Sequence, residues 1–261
     1  MAADPELGAC GHSSPDPEVS PTAVLVTGGS RGIGREIARR FAQDGAGRIA
    51  IGYLRNDAAA EEAAAELREL GAEPVLIRGN VASSRVAQAV AALGPLDALV
   101  HCAATGVIRP ALETSDKHFD WTVAANARAL LSLARAAAPQ MPVGSSIVAI
   151  SSLGSSRVLE NYVLVGTSKA ALEALVRYLA VELAPRGIRV NAVSGGVIET
   201  DALDHFPNRE QMLSSSLGRT PAGRLVEPGD VADAVAFLCS PSAEMIRGQT
   251  IVVDGGFSLV V

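Results

Sequence analysis

Residues 22–45 read TAVLVTGGSRGIGREIARRFAQDG, and their reading decides the fold. The first six residues form an apolar, β-branched run that predicts a buried strand. TGGSRGIG (27–34) follows, and then a helical pattern with its apolar residues on one face. Gly28, Gly32 and Gly34 let backbone approach a pyrophosphate closely, and the helix start offers N–H donors and a positive dipole end. Ser30, Arg31 and Ile33 complete the loop as candidate cofactor-binding residues. The spacing is G-x-x-x-G-x-G, and nothing ends in G-K-[ST], which argues against an ATPase. A glycine turn after the first strand of a βαβ unit predicts a dinucleotide site.

Working outward, RIAIGY (48–53), PVLIRG (74–79), DALVHC (97–102), SSIVAIS (145–151), IRVNAV (188–193) and QTIVVD (249–254) continue the strand series. Helices are expected at 57–70, with an Asp cap, and at 116–138, 167–184 and 228–239. Strands this apolar, separated by helices, indicate a parallel sheet covered on both faces. The expected fold class is α/β: a single doubly wound Rossmann domain with a seven-stranded parallel sheet over 21–261. The Pro-, Ser- and acid-rich stretch 1–20 is expected to be a disordered tail. Cys10 and His12 in that tail have no further metal ligands beside them.

Hydrophobic residues make up 48% of the 261, enough for a large core. Aromatics are 3%, so that core must be Ala, Val, Leu and Ile. A net charge of −6 argues against non-specific nucleic-acid binding. No run approaches the roughly 20 apolar residues of a membrane span. Three scattered cysteines fit a reducing cytoplasm. For the nicotinamide form, the turn after the second strand offers Arg55 where an NAD site usually places an acid. With Arg31 it could grip a 2′-phosphate, so NADPH is expected.

With the glycine loop, Asn126, ISS (150–152), a Tyr/Lys pair and VDGG (253–256), the chain resembles the short-chain dehydrogenase/reductase superfamily over 21–261. Most of that family has its tyrosine four residues before the lysine, where this sequence has Val165. Tyr162 and Lys169 instead match the Tyr-x6-Lys spacing of enoyl-acyl-carrier-protein reductases. SSLGSSRVLENYVLVGTSKAALEALVRYLAVELAP, VNAVSGGVIETDALDHFPNRE, TPAGR and MIRGQTIVVDGG look closely like the enoyl reductase III group, NADPH-dependent and known from bacterial fatty acid synthesis.

The resemblance implies further roles. Ser152 is the auxiliary substrate-side residue, with Ser151 and Ser155 as alternatives. Asn126 holds a water beside the lysine. Asn80 and Val81 follow the third strand on the cofactor side. Ile198 and Thr200 meet the nicotinamide carboxamide, and 201–219 reads as a mobile lid. Homotetramers through 116–138 and 167–184 are common in the family. Three departures stand out: His101-Cys102-Ala103-Ala104 for Asn-Asn-Ala-Gly, Asn80 for aspartate, and Gly195-Gly196 for Pro-Gly, which should free that loop. His101 and Cys102, adjacent on a strand, point to opposite faces, which argues against a Cys–His pair.

Seven residues bring a helix direction back to within roughly 20°, about 10 Å along the axis, so a helix reaching Tyr162 would put it on the face of Lys169. In an enoyl reduction, charge develops on the thioester oxygen beyond the carbon that takes the hydride. Tyr162 is the candidate donor to it, and Lys169 the candidate ribose binder. Tyr53 and Tyr178 lie elsewhere. The expected activity is NADPH-dependent reduction of an enoyl thioester, on an acyl carrier protein, coenzyme A or a polyketide line alike. Arg128, Arg219 and Arg224 are available for docking an acidic carrier. The rivals are a carbonyl reductase of secondary metabolism and a non-catalytic NADPH-binding regulator.

Overall fold

Seven apolar runs become the seven strands of one parallel sheet in the computed structural model, which describes residues 20–199 and 209–260. They are β1 (Ala23–Thr27), β2 (Arg48–Tyr53), β3 (Glu73–Arg78), β4 (Ala98–His101), β5 (Ser146–Ser152), β6 (Arg189–Gly195) and β7 (Thr250–Val253). The order is β3-β2-β1-β4-β5-β6-β7, so the winding reverses between β1 and β4. That is where a doubly wound sheet opens a crevice at its carboxyl edge. In register, Thr27 pairs with Gly52 on one side and His101 on the other.

Helices cover both faces: α1 (Gly32–Gln43), α2 (Asp57–Glu69), α3 (Ser84–Ala91), α4 (Asp116–Val123), α5 (Ala129–Ala137), α6 (Val163–Glu182), α7 (Arg209–Arg219) and α8 (Pro228–Cys239). Side chains alternate across each strand, so Val24 and Val26 pack with Ile37 and Phe41 of α1 and Val231 and Val235 of α8. Leu25 and Leu99 face the other way, onto Leu130 of α5 and Leu172 and Val176 of α6. Each such buried side chain contributes about 1.5–3 kcal/mol.

Several expected boundaries move. The cap of α2 is Asn56, whose side chain accepts from the Ala59 N–H, and not Asp57. Residues 116–138 are not one straight helix. A π turn at Ala124–Arg128 separates α4 from α5, placing one wide turn at Asn126. Helix α6 begins at Val163, four residues earlier than expected. Helices α3 and α7 have no counterpart in the expected series. The loop after β6 is not freed by its glycines: a Cβ on Gly196 would stand 2.9 Å from the Asp254 Cβ, so the residue just past β7 packs tightly against it. The expected tail, apart from Ser20 at its end, and residues 201–208 of the expected lid lie outside the described residues.

Candidate active site

The glycine turn is clamped between its neighbours. Gly28 and Gly29 N–H groups donate to the Gly52 carbonyl at 2.8 and 3.2 Å. Gly28 has φ +70°, and a Cβ on Gly34 would lie 2.2 Å from the Gly28 carbonyl oxygen. No side chain caps the start of α1. Its first N–H groups are therefore left for an anion, at a turn too tightly packed to admit a Cβ at Gly28 or Gly34. This geometry fits a pyrophosphate. Ser30 is buried in the turn, Ile33 is half-buried and Arg31 is exposed.

At the adenosine end, Arg55 is exposed on the turn after β2. Arg78, which sequence reasoning missed, ends β3 opposite Tyr53. The nearby acid is committed: Asp57 accepts from the Tyr53 hydroxyl at 2.9 Å and pairs with Arg78 at 3.1 Å. Asn80 Oδ1 accepts from the Ala82 N–H at 2.9 Å in a tight turn, with Val81 half-buried beside it.

On the other side of the switch point, Tyr162 is the N-cap of α6 and lies outside its helical register. Asn161 delivers it, the one non-glycine with positive φ (57°) among the described residues. Asparagine tolerates that left-handed conformation, and its carbonyl accepts from the Arg109 N–H at 3.0 Å. The Tyr162 ring packs against Gly154, where a Cβ would come within 2.5 Å of Cε1. Its hydroxyl donates to Ser152 Oγ at 3.3 Å. Of the three serines left open by the sequence, Ser152 is the one that meets the phenol. Ser151 points to the other face and donates to Glu173 Oε1 at 2.5 Å. Burial pushes the Tyr162 hydroxyl above the usual range, keeping it protonated.

Lys169 is buried two turns into α6, and its Nζ donates to the Ile150 carbonyl at 2.6 Å. Burial lowers its pKa to about 8, with Cys102 and Glu173 acting the other way. Val165, one turn before it, is buried with a methyl against Gly106 and offers no proton.

Asn126 is fully buried. Its side chain is held by direct bonds on two sides. Its Nδ2 donates to the Thr105 carbonyl at 2.8 Å and to Ser168 Oγ at 2.9 Å, while its Oδ1 accepts from the Thr105 N–H at 2.8 Å. The departure at 101–104 proves structured. His101 bonds Thr27 and the Asn126 carbonyl, not Cys102, and burial pushes the Cys102 thiol up to about 11. Ile198 is buried beyond β6 and bridges to Val226. Thr200 lies outside the described residues. A cleft of about 420 Å³ opens beside the phenol, its walls including Tyr162, Leu159, Val163, Arg109 and Arg157.

A family model described as Enoyl-(Acyl carrier protein) reductase matches residues 28–258. The chain belongs to the short-chain dehydrogenase/reductase superfamily. The reductase is 40% identical over 246 residues to 1-cyclohexenylcarbonyl-CoA reductase of Streptomyces collinus, covering 90% of this chain and 86% of that one. It is 34% identical to L-xylulose reductase of Bos taurus, with 90% and 95% covered. It superimposes with TM-score 0.82 on a short-chain dehydrogenase of Burkholderia cenocepacia in complex with NADP, at 33% identity over 91% of this chain and 98% of that one.

The reductase takes NADP(H) as its cofactor, and the glycine cradle and the flanking arginines fit that group. Two of the arginines expected to be available for docking are engaged. Arg224 holds Asp230 through two bonds of 2.6 Å. Arg219 stacks over Phe257 at 4.9 Å. Among the described residues no cluster of His, Cys, Asp and Glu could hold a metal, and no helix is long and apolar enough to cross a membrane.

Proposed function

We propose that the reductase reduces the 2,3 double bond of an enoyl thioester with NADPH. The observation that supports this reading is where the Tyr162 phenol stands. Tyr162 approaches from the N-cap of α6 and meets Ser152, while the position one turn before Lys169 is an aliphatic wall of Val165 on Gly106. The bound cofactor supplies a hydride. Hydride addition at the β-carbon would send charge to the thioester oxygen; Tyr162, held protonated by burial, would turn its hydrogen bond from Ser152 to that oxyanion, and a solvent proton would then complete the α-carbon. Ser152 orients the phenol. Lys169 has three N–H donors and spends one on Ile150, leaving the others for the ribose hydroxyls. Arg31, Arg55 and Arg78 select the 2′-phosphate. Ile198 and Thr200 serve the carboxamide, with Gly28, Ser30, Gly32, Ile33 and Gly34 on the pyrophosphate and Asn80 and Val81 at the adenine.

The name of the Streptomyces relative supports a coenzyme A thioester with a ring-bearing acyl group. The apolar residues of the cleft suit such a group, and an acyl-carrier-protein thioester of fatty acid or polyketide synthesis is the further candidate. Exposed Phe119 and Trp121 on α4 and Tyr178 and Val181 on α6 support assembly into a homotetramer. The free thiols Cys102 and Cys239 suit the cytoplasm.

A second reading, reduction of a ketone, is favoured by the xylulose reductase relative and by the hydroxynaphthalene reductase-like protein of Metarhizium brunneum, 32% identical. The deciding experiment follows NADPH oxidation with 1-cyclohexenylcarbonyl-CoA, a straight-chain trans-2-enoyl-CoA and the matching 3-oxoacyl-CoA. Turnover of an enoyl substrate alone supports the proposal. Turnover of the 3-oxo substrate alone replaces it with the second reading.

A further inference from the structure

We propose that His101 is a positioning residue that ties the dinucleotide turn to the helical turn bearing Lys169, as a neutral imidazole whose proton is fixed on Nε2. Thr27 and His101 are register partners on β1 and β4, at the switch point. The Thr27 hydroxyl oxygen accepts from the N–H groups of Cys102 and Ala103, both at 3.2 Å. Its two lone pairs are then engaged, and its single proton is left for His101 Nδ1 at 3.0 Å. With Nδ1 accepting, the ring proton sits on Nε2, which donates to the Asn126 carbonyl at 3.2 Å. That carbonyl belongs to the π turn, whose wider winding changes which backbone groups pair inside the helix.

From Asn126 the bonds run on. Its amide donates to Ser168 Oγ, and the Ser168 hydroxyl donates to the Val165 carbonyl at 2.7 Å. Lys169 is the next residue. Thus Thr27, which leads into Gly28, is connected by consecutive hydrogen bonds to the turn that carries the lysine. A protonated ring would aim a second donor at Thr27, which has no lone pair left. Burial and the charge of Lys169 act in the same direction and hold His101 at about 4. The other titratable groups bearing on Lys169 are Cys102 at the end of β4 and Glu173 one turn along α6.

The inference is independent of which double bond is reduced, because two of its readouts need no turnover. In protein labelled with ¹⁵N-histidine, His101 should remain a neutral Nε2–H tautomer from pH 8 to pH 5. Three variants separate the two links. His101→Asn keeps a polar atom near Thr27, His101→Gln keeps a donor near Asn126, and His101→Leu removes both. The expected NADPH dissociation constant rises about tenfold in His101→Leu, by the loss of about one hydrogen-bonded link. The alkaline limb of kcat, read with whichever substrate turns over, should move up by about half a pH unit in His101→Leu and His101→Asn. With the link to the π turn lost, the turn that carries Lys169 loosens and the burial that disfavours the ammonium is relieved. His101→Gln should restore the wild-type limb. Titration of His101 near 6.5, a proton on Nδ1, or equal limbs and NADPH affinities in all three variants would overturn the proposal.

Discussion

The Tyr162 hydroxyl stands 3.3 Å from Ser152 Oγ, the phenol on the N-cap of α6 and the serine on the last residue of β5. Two different elements therefore aim one hydrogen bond, with Gly154 bracing the ring. Tyr162→Phe keeps the ring and removes the donor. We expect kcat to fall about 10²–10³-fold, the cost of losing an oxyanion donor, with NADPH affinity unchanged by titration. Ser152→Ala should cost less, since it loosens the phenol without removing it. A Tyr162→Phe enzyme with wild-type kcat would remove the tyrosine from the chemistry.

Lys169 predicts a pH dependence of stability. Its folded pKa, about 8, lies below the ordinary 10.5 because burial penalises the ammonium. Between those values the unfolded chain holds a proton that the folded chain has released, so this group makes stability rise with pH. Below pH 8 the full burial cost is present. Lys169→Met should therefore raise the Tm of the cofactor-free protein at pH 7, less the roughly 1 kcal/mol lost with the Ile150 bond. The gain should shrink as pH rises through 8 toward 10.5, while turnover collapses. Melting curves at pH 7 and 10 decide it, and a variant less stable at pH 7 than at pH 10, relative to wild type, contradicts the assignment.

The three arginines should govern cofactor choice unequally. Arg31→Ala and Arg55→Ala should each raise the KM for NADPH about 10–100-fold, the worth of a charge-assisted hydrogen bond of about 1.5–3 kcal/mol. KM for NADH should stay level. Arg78→Ala should do less, because Asp57 already draws on that charge at 3.1 Å. Steady-state kinetics with both cofactors test the ranking.

Moving the tyrosine to the commoner position should not make a ketone reductase. In Val165→Tyr the ring must enter space that Val165 already fills against Gly106, where a Cβ would meet the valine methyl at 2.2 Å. Overpacking of this kind costs about 1–3 kcal/mol. We expect a lower Tm and no gain of 3-oxoacyl-CoA turnover. A stable variant that reduces the ketone would show the wall to be less rigid than its packing indicates.

The sheet was legible because its inner strands are buried on both faces and every strand stands out as an apolar run. Helix α3 was missed because only Val86 and Val90 of its eight residues are buried, too few to show a period. Helix α7, with three serines and a glycine in 11 residues, resembles a loop in composition. The start of α6 was misplaced because Tyr162 caps it without a side-chain bond, so the usual polar signal is missing. Tyr162, Lys169 and the glycine loop could be picked out by local spacing. His101 could not, since its partners lie 74 and 25 residues away and meet it only through the β1–β4 register and the π turn.

Asn161, turned left-handed just before Tyr162, separates two things that a helix would have locked together. Lys169 takes its place from the register of α6, whereas the phenol hangs from the non-helical cap, whose carbonyl accepts from the Gly166 N–H at 2.7 Å, and takes its aim from Ser152 and Gly154. A change at Ser152, Gly154 or Asn161 would re-aim the phenol and leave the lysine, the glycine cradle and the sheet where they are. On the proposed function, electron delivery belongs to the scaffold and the choice of acceptor to the few residues that aim the cap.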